Sequence, residues 1–243
     1  MKVLALDTSN RPLTVAIVED NQILATETTT VHQKHAEFLM PVIEDMFNKC
    51  DLKPNDIDRI VVSSGPGSYT GIRIATATAK TLAFTLNKEL VGASSLCTLA
   101  LNCEQENMLV MPIFNARNNN AFTGLYRIVD GQPLSMIEDC HTDFDQWLDR
   151  IKHNFDNEQI CLVGDYSVFL DKITEKLGKN LYELKFDNNL PKAVKLAKYG
   201  QTLSPVDNID NFVPRYLRLT KAESDWQKLH PEEVNQSYVQ KND

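Results

Sequence analysis

Residues 63–73 read Ser63-Ser-Gly-Pro-Gly-Ser-Tyr-Thr-Gly-Ile-Arg73. The apolar run Arg59-Ile-Val-Val-Ser63 leads into this stretch, and a pattern with helical spacing, Ile72 to Leu86, leads out of it. The spacing predicts a loop that joins a buried strand to a helix. Gly65, Gly67 and Gly71, with Pro66 between the first two, make a sharp turn of fixed shape. Ser68 or Thr70 can cap the helix by accepting from its first free N–H groups. Two roles are open to such a loop. It can hold an anion at the helix N-terminus, or it can simply let the helix lie close against a sheet. No Gly-Lys-Ser/Thr follows, so it is not a P-loop, and Gly65-x-Gly67-x-x-x-Gly71 is not the dinucleotide-binding fingerprint.

On the N-terminal side, Val3–Leu6, Leu13–Val18 and Ile23–Thr30 read as three meandering strands, with a polar turn Asp7-Thr-Ser-Asn-Arg-Pro12 after the first. A helix from His35 to Cys50 follows. Leu39, Val42, Ile43, Met46 and Phe47 form its apolar stripe, and Phe38 and Met40 lie off it. The helix after the glycine loop carries Ile72, Ala75, Ala79, Leu82, Ala83 and Leu86 on one stripe, with Ile74, Ala77 and Phe84 partly outside. Its run Ala75-Thr-Ala-Thr-Ala79 is uniformly small and lets another helix come close. Apolar residues on more than one face predict a sheet on one side. The other side meets either a partner or more of the same chain.

On the C-terminal side, Leu90–Ala93 is a short strand and Ser94 caps a short helix to Leu101. The polar stretch Asn102–Asn107 marks a border, after which the pattern restarts. Strands at Met108–Phe114, Ala121–Val129 and Pro133–Asp139, a helix through Phe144–Phe155, and a strand at Ile160–Val163 follow. A helix near Val168–Leu177 and an extended Leu181–Phe186 complete the second series. The series strand, polar turn, strand, strand, helix, strand therefore occurs twice, which predicts two similar α/β halves with mixed sheets flanked by helices. The expected division is residues 1–103, residues 104–214, and an arm and polar tail, 215–243, packing back on the first half. Lys192, Lys195 and Lys198 give the helix Pro191–Tyr199 a basic stripe, which reads as a solvated face.

Composition sets the class. The chain of 243 residues is 42% hydrophobic and 24% charged, as in ordinary globular proteins. No apolar run approaches the ~20 residues that span a bilayer, so no membrane association is expected. Five scattered cysteines without a Cys-x-x-Cys pair suit free thiols in a reducing cytoplasm. The formal charge of −8 means that the chain as a whole does not attract nucleic acid.

Five stretches together resemble one family. They are Leu4-Ala-Leu-Asp-Thr-Ser9, the His35 helix with Leu39-Met-Pro-Val-Ile43, Ser64-Gly-Pro-Gly-Ser-Tyr-Thr-Gly-Ile-Arg73, Val91-Gly-Ala-Ser-Ser-Leu96 and Pro214-Arg-Tyr-Leu-Arg218. The resemblance is to the TsaB (YeaZ) family of tRNA threonylcarbamoyladenosine biosynthesis and spans residues 1 to about 218. It implies an actin-like ATPase (ASKHA) fold. It also implies a non-catalytic partner of TsaD, the subunit that modifies adenosine 37 of tRNAs reading ANN codons, with the ATPase TsaE joining the same complex. tRNA is then met through the complex. The resemblance further implies that the first two helices bind TsaD, or a second copy of the chain. The residues expected there are His35, Leu39, Val42, Ile43, Met46, Ile72, Ala75, Thr76, Ala79 and Ala83, and charge at Leu39 or Ala79 is expected to break the complex and spare the fold. The chain departs from the family pattern at Asn115-Ala-Arg117, where Asp-Ala-Arg is usual.

The rival reading is an autonomous phosphotransferase of the same fold. It requires a phosphate-gripping Asp-x-Gly after the first strand, where the chain has Asp7-Thr8-Ser9, a vestigial turn without the glycine. It also requires carboxylates for Mg²⁺, which Asp7 and Asp165 supply only if both line one cleft. His32 and His35 lack a third ligand, and His-x-x-x-His is absent, so no metal or cofactor is expected. Arg73 opens its helix against the dipole, which suits an anion, a partner carboxylate or a pair with Asp7.

Overall fold

The computed structural model describes residues 1–30, 35–178, 180–184, 189–219, 226 and 229–230. The first sheet contains β1 (Lys2–Asp7), β2 (Leu13–Glu19), β3 (Gln22–Thr29), β4 (Arg59–Gly65) and β5 (Glu89–Ser94), in the order β3-β2-β1-β4-β5. β2 runs antiparallel to both of its neighbours, whereas β1, β4 and β5 are parallel. The second sheet contains β6 (Leu109–Asn115), β7 (Asn120–Val129), β8 (Gln132–Asp143), β9 (Ile160–Gly164) and β10 (Leu181–Glu183), in the order β10-β9-β6-β7-β8. Read from the opposite edge, this is the order of the first sheet with the same parallel and antiparallel pairs. The duplication expected from the residue pattern is thus present strand for strand.

The helices are α1 (His35–Lys49), α2 (Tyr69–Leu86), α3 (Ser95–Ala100), α4 (Phe144–Phe155), α5 (Leu170–Leu177) and α6 (Ala193–Gly200). Boundaries move by a few residues from the expectation. β8 runs on to Asp143, because the residues past Asp139 keep pairing with β7. The helix expected near 168–177 is a 3-10 turn, Tyr166–Phe169, followed by α5. The extended stretch expected to Phe186 is β10 as far as Glu183, and residues 185–188 lie outside those described.

Both faces of the central strands are covered, which is why they read as continuous apolar runs. On one face of the first sheet, Leu4, Leu6, Val15 and Ile17 pack against α1 and α2. On the other, Val3, Ala5, Ala16 and Val18 meet Ala193, Leu196 and Ala197 of α6. The second sheet is covered by α4 and α5 on one side and by α3 on the other. The short helix that follows each sheet in sequence therefore lies on the other half's sheet, and the two halves interlock. Arg59 fastens this exchange. Its guanidinium donates to the carbonyls of Gly200 (2.8 Å) and Leu203 (2.9 Å) and pairs with Glu89 at 2.7 Å. The duplicated sheets with their exchanged helices are the two similar halves of mixed sheet and flanking helices expected from the sequence.

Candidate functional site: the cleft and the outer face of two helices

The glycine loop lies on the turn that follows β1. Ser68, not Thr70, caps α2, its Oγ accepting from the Gly71 N–H at 3.3 Å. The Ser68 N–H donates to the Ser9 carbonyl at 2.7 Å, and the Thr8 hydroxyl donates to the Gly71 carbonyl at 2.7 Å. A Cβ at Gly67 would stand 2.2 Å from the Ser9 oxygen, and one at Gly71 would stand 2.0 Å from the Thr8 oxygen. Of the loop's two roles, close packing is the one these contacts display. Asp7, Thr8 and Ser9 are buried beneath it. Asp7 accepts from the Ser9 N–H through Oδ1 (2.8 Å), and among the described residues its Oδ2 has no hydrogen-bond partner. Burial pushes the Asp7 carboxyl upward, against the opposing pull of Ser9 and Ser63. The second half repeats the turn: Asn115 Oδ1 accepts from the Arg117 N–H at 2.8 Å. An asparagine suffices for that bond, so loss of the family's carboxylate leaves the turn intact.

A cleft of about 940 Å³ opens between the two turns. Its walls come from residues 9–11, from His35 and Ala36, from residues 66–72 with Ile74, from the turn 114–117 with Phe122 and Asp165, and from the arm 215–219. Asp7 is not part of this lining, so the two carboxylates considered from sequence do not share the cleft. Asp165 accepts from Asn10 and from the Asn115 N–H, each at 3.4 Å. His35 lines the cleft too, its Nε2 lying 3.1 Å from the Arg11 carbonyl. His32 lies outside the described residues. Among the described residues no group of three His, Cys, Asp or Glu side chains is placed to hold a metal.

The arm is fastened where the halves meet. Its Arg215 N–H donates to the Ser64 carbonyl at 2.7 Å, and its guanidinium donates to Asp139 at 3.1 Å. Asp139, 1% exposed, also accepts from the Ser94 and Tyr126 hydroxyls. Desolvation raises the Asp139 carboxyl, and these three donors oppose it. One buried carboxylate thus joins the first half, the second half and the arm. Sequence reading misses it because an Asp in an alternating strand looks like a solvent-facing residue. The signal that could have found it is the odd burial parity of Asp139 beside Ile137. Arg73 makes no pair with Asp7; it lies over the Tyr69 ring at 4.7 Å, and Tyr69 packs on Tyr216 of the arm at 5.0 Å.

The stripe expected to meet a partner requires correction. Leu39 (1% exposed), Ile43, Met46, Ile72, Ala75, Thr76, Ala79 (0%) and Ala83 are buried within the chain, most of them against the first sheet. They form the core-facing side of α1 and α2, because the strongest helical stripe goes to the sheet. Val42 is half-buried, and His35 belongs to the cleft. A charge at Leu39 or Ala79 would therefore act on folding. Three residues off the stripe reach solvent: Phe38 (38% exposed) and Met40 (48%), which flank the buried stripe of α1 on its two sides, and Phe84 (69%) on the outer side of α2. The lysine stripe of α6 is half-buried, with Lys195 paired to Glu104 at 2.6 Å.

Comparison with known proteins fixes the family. Residues 22–226 match the family model described as TsaD: tRNA N6-adenosine threonylcarbamoyltransferase. The chain is 35% identical over 226 residues to the tRNA threonylcarbamoyladenosine biosynthesis protein TsaB of Bacillus subtilis, covering 93% of this chain and 98% of that one. A tRNA N6-adenosine threonylcarbamoyltransferase of Desulfovibrio desulfuricans is 26% identical over 53% of this chain and 40% of its own. The Bacillus TsaB is thus matched over nearly its full length, and the Desulfovibrio transferase over less than half of its own. YeaZ from Pseudomonas aeruginosa shares the fold, with a TM-score of 0.75 at 23% identity over 89% of this chain and 99% of that one. No helix among the described residues is long and apolar enough to cross a membrane.

Proposed function

Since the chain belongs to the TsaB family of tRNA threonylcarbamoyladenosine biosynthesis proteins, we propose that it serves as the non-catalytic subunit that binds and stabilises a TsaD-type transferase and, with it, recruits the ATPase TsaE. The observation that carries this reading is the apolar surface that α1 and α2 leave exposed, with Phe84 on the outer side of α2. Phe38, Met40 and Phe84 stand in solvent on helices whose inner faces are already packed. Full burial of a Phe side chain is worth roughly 1.5–3 kcal/mol, so covering what Phe84 still exposes supplies about 1–2 kcal/mol. A second copy of the chain can use the same face, giving a homodimer that the transferase replaces. The non-catalytic character draws support from the first turn: Asp7, Thr8 and Ser9 are closed over by Gly67 and Gly71, where a phosphate-gripping turn needs open backbone amides. The test is to mix the chain with its organism's TsaD-type protein and weigh the mixture by light scattering, with and without ATP and Mg²⁺. A heterodimer is expected. No association under any condition would refute the partner role, and tight ATP–Mg²⁺ binding by the chain alone would favour the autonomous phosphotransferase.

A further inference from the structure

The chain is acidic overall, with a formal charge of −8, yet the cleft between the two turns is lined by Arg11, Arg117, Arg215 and Arg218, against one carboxylate, Asp165. These cations come from separate segments. Arg11 stands on the turn after β1, Arg117 on the equivalent turn after β6, and Arg215 and Arg218 on the arm. Arg215 is committed to Asp139, and Asp165 is engaged by Asn10 and Asn115. Arg218 donates to the Ala116 carbonyl at 3.1 Å and is otherwise exposed. Arg11 and Arg117 are exposed, and among the described residues their guanidinium groups have neither an ion pair nor a hydrogen bond. Phe122 and Tyr216 line the same space. Exposed guanidinium groups from separate segments around one cleft, with aromatic residues in its lining, match what a single nucleic-acid strand requires: cations that track phosphates and faces on which bases stack.

We infer that this cleft is where the chain contacts the tRNA substrate, with Arg11, Arg117 and Arg218 holding backbone phosphates of an unpaired segment. The inference deepens the proposed function and rests on it for the identity of the RNA. It also gives an acidic subunit a local cationic surface, so that the partner need not supply every phosphate contact.

The test measures tRNA affinity of the assembled complex by fluorescence anisotropy across a salt series. The wild type is compared with R11Q/R117Q and with R150Q/K152Q, a control that removes the same charge from the exposed side of α4. Light scattering and thermal melts establish that each variant folds and joins the complex. Each lost phosphate contact should flatten the log–log salt dependence by about 0.7 for single strands or 0.9 for a duplex. R11Q/R117Q should therefore flatten it by about 1.4–1.8 and weaken binding severalfold, with the control near wild type. Equal behaviour of R11Q/R117Q and the control would overturn the inference. So would displacement of tRNA by ATP from the wild type but not from R11Q/R117Q, which assigns the cleft to a free nucleotide. If the wild type fails to enter the complex, the proposed function fails by itself. The isolated chain then decides the inference: selective loss of tRNA binding in R11Q/R117Q sustains it, and absence of tRNA binding by the wild type refutes it.

Discussion

Substituting Gly71 by alanine tests whether the glycine loop exists to bring α2 against the first turn. The new Cβ would lie 2.0 Å from the Thr8 carbonyl oxygen and 3.1 Å from its carbon. Ordinary contact begins beyond 3 Å, so the helix start or the turn must move by about 1 Å, and forced overpacking of this kind typically costs about 1–3 kcal/mol. The shift also strains the buried Thr8 hydroxyl bond to the Gly71 carbonyl, now 2.7 Å, whose loss leaves a buried polar group unsatisfied at about 1–3 kcal/mol. Against this, alanine is a better helix former than glycine by about 1 kcal/mol. The balance is a destabilisation of about 1–5 kcal/mol. Urea unfolding followed by far-ultraviolet circular dichroism measures it. A G71A variant as stable as the wild type would refute the close-packing account and return the loop to a ligand-holding role.

Further outcomes follow from the same geometry. L39D places a carboxylate where a side chain is 1% exposed in the core of the first half, and should lower stability by more than about 3 kcal/mol in urea melts. D139N leaves Arg215 without its charge partner and should destabilise by on the order of 2–3 kcal/mol, with faster tryptic cleavage after Arg215 and Arg218 as the arm loosens. Asp7 holds its proton more tightly when folded than when unfolded. Its contribution to stability is therefore complete below the unfolded value near 3.8 and drains away as pH rises through the raised folded value. D7N removes that titration. The stability of D7N relative to wild type should rise with pH from about 4 upward, and a pH-independent difference between the two proteins would contradict the burial argument.

The parts of the fold that repeat were legible, and those that depend on three-dimensional exchange were not. Alternating strands, the capping Ser94 and the stripe on α4 depend on nearest neighbours in sequence, so periodicity finds them. The crossing of α3 and α6 onto each other's sheets depends on contacts between residues far apart in the chain, and no local pattern encodes it. The same reason explains the misplaced interface residues. Helical periodicity marks the strongest apolar stripe, and in α1 and α2 that stripe belongs to the core. The weaker, off-stripe residues Phe38, Met40 and Phe84, noted from sequence only as spare apolar surface, are the ones that reach solvent. The cleft was half legible. Asp7-Thr8-Ser9 stood out as a phosphate-turn position and Asn115-Ala-Arg117 as a departure from the family pattern, but nothing in the local sequence places Arg11 beside Arg117, and only the closing of the two halves brings them to one cleft.

The most direct test of the central claim separates surface from core on one helix. Phe84→Asp changes a side chain that is 69% exposed, so the thermal melt of the isolated chain should stay within a few degrees of wild type. The proposed role predicts that F84D nevertheless loses association with the TsaD-type partner in light scattering. A folded F84D that still forms the full heterodimer at wild-type affinity would contradict the assignment of this outer face as the partner surface.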